Sequence, residues 1–208
     1  MKLDAAELSA LVTSKPGEIA GRATESVRNE LIPALVQAFG EAVEEIPTPF
    51  EIPQVKVAPA KIHAVCVWLK EQGFNMLDDL AGVDYLPREP RFEVVYYLVA
   101  IPSLRRLRLR VPISGDKPEV ATVSDLWTSA NPAEREVWDQ FGIVFRNHPN
   151  LIRILNPEDW EGHPLRRDYP LRGPRTIHSE VAPADQNRFH PLKFVEDLKG
   201  VEDLKGKE

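Results

Sequence analysis

Four of the five histidines, His148, His163, His178 and His190, fall in the last third of the 208-residue chain, where imidazoles can serve as general bases or metal ligands. Their gaps of 12 to 15 residues do not match the spacings by which histidine and cysteine share a zinc ion, so no metal site is expected. His163 and Asp168 make a second constellation. A carboxylate that orients an imidazole would give a general base beside Ser179 or Cys66 as nucleophile, the chemistry of a stand-alone hydrolase. No Gly-x-Ser-x-Gly elbow presents such a nucleophile, and nothing in the sequence brings these groups together. The single Cys66 sits in the apolar stretch 63–69 and reads as a small buried hydrophobe. One cysteine makes no intrachain disulfide and falls short of the four thiolates that iron–sulfur clusters usually take. With no Gly-x-Gly-x-x-Gly and no phosphate loop, no dinucleotide or nucleoside triphosphate site is expected either.

The remaining chemistry is that of recognition. Residues 159–170, Asp159-Trp160-Glu161-Gly162-His163-Pro164-Leu165-Arg166-Arg167-Asp168-Tyr169-Pro170, crowd arginines, aromatics and prolines into a stretch unsuited to a regular element. Arginine and aromatic residues are favoured at interface centres, and proline lowers the entropy lost when an extended segment docks. Two readings stay open: an ordered arm laid on a partner, or a surface loop folded on its own domain.

The elements that would position these groups follow from periodicity. Leu8, Leu11 and Val12 have helical spacing, and Val27, Leu31, Leu35 and Phe39 repeat every four residues toward Gly40, with Pro33 as a bend. Short strands and a turn are expected over 41–57, and a helix over 59–73 with Ile62, Cys66 and Leu69 on one face. Residues 76–85, 92–101 and 104–113 read as a three-stranded meander, the last with Arg106, Arg108 and Arg110 on one face and apolar residues on the other. Ala130 to Glu134 marks a helix start, with Asn131 as N-cap and Glu134 three residues on, and the helix ends near Gly142. Along it Arg135 and Asp139, four apart, share a face and can pair. The expected fold is α+β, a small antiparallel or mixed sheet flanked by helices over 1–145, followed by a long extended C-terminal arm over 146–208. The repeat of Val195 to Gly200 as Val201 to Gly206 makes a charged tail with little apolar surface to bury.

Composition narrows the classes further. No apolar run reaches the length of a bilayer crossing, and the first 15 residues mix acids among apolar residues, so neither membrane insertion nor a signal peptide is expected. The net charge of −6 is spread with only a mildly basic middle: residues 101–175 carry 10 acids and 12 bases. That bias is too weak for nucleic-acid binding.

Glu134-Arg135-Glu136, Asp139, Phe141-Gly142-Ile143, His148-Pro149 and residues 162–170, in that order, resemble the family of the 30-kilodalton subunit of complex I, the C subunit of respiratory NADH–quinone oxidoreductase. Gly73-Phe74-Asn75, Asp84-Tyr85 and Asp125-Leu126-Trp127 extend the likeness more loosely. The resemblance implies a non-redox structural subunit in the peripheral arm of a proton-translocating enzyme. It implies no cofactor in this chain, with FMN and iron–sulfur clusters in partner subunits, and packing against subunits D and B and neighbouring peripheral-arm subunits. The place implied is the cytoplasmic side of the cell membrane, reached through the complex. Arg135, Asp139, His163, Arg166, Arg167, Tyr169 and Pro170 are carried over as subunit-interface residues, none of them catalytic. Related hydrogenases and ferredoxin- or deazaflavin-dependent quinone oxidoreductases use an equivalent subunit, and they remain the alternative.

Overall fold

In the computed structural model, which describes residues 16–48 and 52–170, the arginine-rich stretch becomes the centre of a sheet. Its strand β5 (Arg105–Ile113) buries Leu107, Leu109, Val111 and Ile113 and turns the arginines to the opposite face, as period-two alternation requires. It pairs antiparallel with β4 (Phe92–Ala100), which pairs antiparallel with the edge strand β3 (Met76–Asp84), so the meander is present. On its other side it runs parallel to β2 (Gln54–Val57), and β1 (Val43–Ile46) is the second edge. The order is β1-β2-β5-β4-β3, a mixed sheet of five strands.

Helices pack into one core with the apolar face of this sheet. The first run comprises α1 (Pro16–Ser26), a π turn (Val27–Leu31) and α2 (Ile32–Phe39), and it buries Val27, Leu31, Ile32 and Leu35. Pro33 accounts for the π turn, because a proline ring inside a helix clashes with the carbonyl four residues back. Here the turn widens so that the Ile32 N–H bonds the Val27 carbonyl, five residues back, and the helix continues. The next helix, α3 (Ile62–Glu71), buries Ile62, Val65, Cys66 and Leu69, and Gly73 follows it with φ 92°.

The helix over the resembling motif, α4 (Ala130–Phe141), starts differently from expectation. Asn131 does not cap it. The Ser129 hydroxyl donates to the Leu77 carbonyl, and Glu134 is fully buried, accepting from the Thr122 hydroxyl at 2.5 Å and the Val123 N–H at 2.7 Å. A buried loop N–H needs an acceptor, and that need turns Glu134 inward. The helix rests on β3 at Gly82, where an added Cβ would lie 2.7 Å from the Phe141 ring and 3.0 Å from Val137.

Two strands too short to show alternation escape the sequence reading. They are β6 (Glu119–Ala121) and β7 (Val144–Arg146), which pair in parallel on either side of α4 in the chain. Residues 147–170 form no helix or strand, yet residues 147–169 belong to one compact unit with the sheet and its helices. The helical spacing at Leu8, Leu11 and Val12, the chain after Pro170 and its repeated tail lie outside the described residues.

Candidate functional site

The motif residues meet where the irregular stretch crosses the end of α4. The Asp139 carboxylate, wholly buried, accepts five donors: Arg153 Nη1 at 2.5 Å, the N–H groups of Ile154, Leu155 and Asn156 at 3.2, 2.9 and 2.9 Å, and Asn156 Nδ2 at 3.0 Å. Burial alone would raise its pKa, but these donors hold it well below the ordinary carboxylate range. Arg153 Nη2 donates to the carbonyls of Trp160 (2.6 Å) and Gly162 (3.0 Å), tying two turns of the arm together. The expected pair of Arg135 with Asp139 does not form. Arg135 instead donates to the carbonyls of Ile152 and Arg153, because Asp139 points under the arm rather than along the helix.

His163 Nδ1–H donates to the Asp139 carbonyl at 3.0 Å, and burial lowers the imidazole pKa, leaving it neutral at pH 7. Its ring lies against Gly142 (φ 72°), where an added Cβ would come within 2.5 Å of it and 2.7 Å of Arg166 Nη2. Glycine is required there for both the left-handed turn and the close approach. Arg166 Nε donates to the Phe141 carbonyl at 2.6 Å, and the guanidinium lies over the Phe92 ring at 5.2 Å. The Arg167 amide donates to Asp84 at 2.9 Å and its side chain to the Leu86 carbonyl at 2.9 Å. The Tyr169 hydroxyl donates to the Glu161 carbonyl at 3.1 Å, and Pro170 is exposed.

Sequence reasoning missed the receiving end of this clasp. Asp84, at the close of β3, also takes Arg91 through two bonds of 3.0 and 2.8 Å and the Leu86 N–H. Burial opposes its ionisation, yet Arg91 and the two amides bring its pKa down to about 2. Arg91 reaches on to Asp168 at 2.8 Å. The available signal was Asp84-Tyr85, part of the looser resemblance, but nothing local tied it to residues 167 and 168.

The hydrolase constellation is not assembled. His163 is committed to Asp139 and Asp168 to Arg91, Cys66 is buried with its thiol pKa pushed up by burial, and Ser179 lies outside the described residues. The other central histidine, His148, is also held as a neutral imidazole: Nε2–H donates to the Asn131 carbonyl at 3.3 Å and Nδ1 accepts the Asn150 N–H at 3.1 Å. Among the described residues no group of three or more His, Cys, Asp or Glu is placed to hold a metal, and no helix is long and apolar enough to cross a membrane. Beside the exposed charges of Glu158, Asp159 and Glu161, the arm turns apolar side chains outward: Leu155 is 62% exposed, Leu165 55%, Ile152 43% and Ile154 40%.

Fold and site together define an α+β domain that clasps an irregular arm to itself, and comparison with known proteins places that domain in a family. Residues 55–175 match the family described as respiratory-chain NADH dehydrogenase, 30 Kd subunit, and the chain belongs to it. The C subunit of Geotalea uraniireducens NADH-quinone oxidoreductase is 43% identical over 147 residues, 70% of this chain and 90% of that protein. Thermus thermophilus NADH-quinone oxidoreductase subunit 5 is 50% identical over 128 residues, 56% of this chain and 62% of the relative. Among solved structures, the trypsin-resistant fragment (1-134) of Nqo5 aligns with TM-score 0.53 and 38% identity, covering 58% of this chain and 98% of the fragment. A chain of the membrane-bound sulfane sulfur reductase, an archaeal respiratory membrane complex, aligns with TM-score 0.60 and 25% identity, covering 69% and 86%.

Proposed function

We propose that this chain is a non-redox structural subunit of a proton-translocating NADH–quinone oxidoreductase, stabilising the module through which electrons pass from NADH to quinone. Its partners are subunits D and B and neighbouring peripheral-arm subunits, on the cytoplasmic side of the membrane, with FMN and iron–sulfur clusters held by partners. One observation carries the docking role: exposed Leu155 and Leu165 sit on backbone pinned to consecutive residues of α4, Leu155 N–H on Asp139 and Leu165 N–H on the Gln140 carbonyl. Fixing the backbone beforehand lowers the entropy lost on association, and each leucine buried by a partner contributes about 1.5–3 kcal/mol. In this reading Arg135, Asp139, His163, Arg166, Arg167, Tyr169 and Pro170 are the frame of the interface.

The test is affinity purification of the tagged chain from native membranes with iron analysis of the complex and of the chain alone. Subunits B and D with iron in the complex and none in the chain are expected. Iron in the isolated chain, or its recovery without partners, would overturn the proposal. The likeness to the archaeal reductase chain favours a second reading, an equivalent subunit of a related hydrogenase or a ferredoxin- or deazaflavin-dependent complex. Absence of NADH-binding subunits from the purified assembly would select it.

A further inference from the structure

The end of the sheet away from the arm carries its own apolar surface. Ile101 is 53% exposed, Leu104 50% and Met76 39%. The β4–β5 turn gathers them: the Ile101 N–H donates to Asn75 Oδ1 at 3.1 Å, and Met76 lies opposite Val99, which lies opposite Arg106. Leu104 closes the 3-10 turn Ile101–Ser103 with φ 54°. A left-handed backbone is strained for leucine and free for glycine, so the fold alone would favour glycine or asparagine there. Leu104 combines that strain with an apolar side chain in water, and persistent strain of this kind concentrates at functional positions.

The charges around the tip are divided. Arg105 is committed to the base of the turn, donating to the Gln72 carbonyl at 2.5 Å and lying over the Phe74 ring at 5.4 Å. Arg106 is exposed, and its side chain has no hydrogen bond or ion pair among the described residues. We infer that the Met76, Ile101 and Leu104 tip is a second docking surface, which takes the apolar surface of a partner protein offering a carboxylate to Arg106. The inference rests on the reading of this chain as an assembly subunit. Asp84 and Arg91, which receive the arm, stand at the opposite ends of β3 and β4, about 30 Å away along nine residues of strand. Partners at both ends would make the sheet a spacer between them. A lipid surface fits less well, because headgroup binding uses clusters of cations, whereas one arginine is free here and exposed Asp78 stands two strands away on β3.

The experiment compares three variants of the tagged full chain in its native complex: Leu104→Gly, Ile101→Ser, and Leu155→Ser with Leu165→Ser. Leu104→Gly relieves the strained turn, so the purified chain is expected to melt at the same temperature or roughly 2–4 °C higher. Its recovery in the complex is nevertheless expected to fall about tenfold, as is that of Ile101→Ser, which keeps the turn. Wild-type assembly by both tip variants overturns the inference. If the arm variant alone fails to assemble, only the second surface is lost; if all three assemble normally, the docking role itself falls too. Flotation of the wild-type chain, but not of Leu104→Gly, with phosphatidylserine vesicles would assign the tip to lipid and overturn the protein partner.

Discussion

Asp139 and Arg153 meet at 2.5 Å with the carboxylate sealed from solvent and the guanidinium nearly so, and through this pair the arm is fastened to the domain. Removing one member of a buried pair leaves the other uncompensated, which makes the contact a sensitive place to test the clasp.

Asp139→Asn is expected to destabilise the folded chain by about 3–5 kcal/mol and to open the arm. Trypsin reports the change at Arg153, whose guanidinium is occupied by Asp139 and two carbonyls in the wild type. Early cleavage after Arg153 in the variant is expected; an unchanged digestion pattern would show that Asp139 does not hold the arm. Because the folded-state pKa is depressed, this stabilisation is present above the ordinary carboxylate range. It is lost progressively as pH falls from that range toward the depressed value.

Adjacent arginines should behave unequally. Arg166 donates to the Phe141 carbonyl and covers Phe92, so Arg166→Glu is expected to lose about 2–4 kcal/mol. Arg167 holds Asp84 through its backbone, so Arg167→Ala removes only the contact with the Leu86 carbonyl, worth about 1 kcal/mol. Urea midpoints of the two variants should separate accordingly, and equal midpoints would contradict the assignment.

Glu134 supplies a pH dependence. Burial raises its pKa from 4.5 to about 7 in the folded chain. Between those values the unfolded chain releases a proton that the folded chain keeps, so stability falls as pH rises from about 4.5 to about 7 and is level above. The change is on the order of 3 kcal/mol. A protonated Glu134 donates to Thr122, whose hydroxyl donates to Ser124 Oγ at 2.9 Å. Glu134→Gln reproduces that pattern without titrating, so its urea midpoint should vary less across pH 5 to 8; the same slope in both proteins would rule Glu134 out as its source.

The meander was legible in the sequence because its strands run nine residues, β5 alternating between apolar and arginine faces and β4 nearly continuous in apolar, β-branched and aromatic residues. The three-residue strands β6 and β7 offer no such pattern. The site was legible as a set of residues but not as a set of bonds. Helical spacing pairs Arg135 with Asp139, whereas the observed partner of Asp139 is 14 residues away in a stretch without periodicity. What selects that partner is the need of buried loop amides at 154–156 for an acceptor, and the spacing of side chains does not report it. The same need at Val123 turned Glu134 from an expected cap into a core residue.

Most of the groups that receive the arm precede it in the chain: Asp84, Leu86, Arg91, Asp139, Gln140 and Phe141. A chain made from its N-terminus therefore finishes this receptor before residues 147–169 emerge, and the arm then binds as a ligand tethered to its own receptor. A short tether sets an effective concentration in the millimolar range, so a free peptide of the same sequence would compete poorly with the attached one.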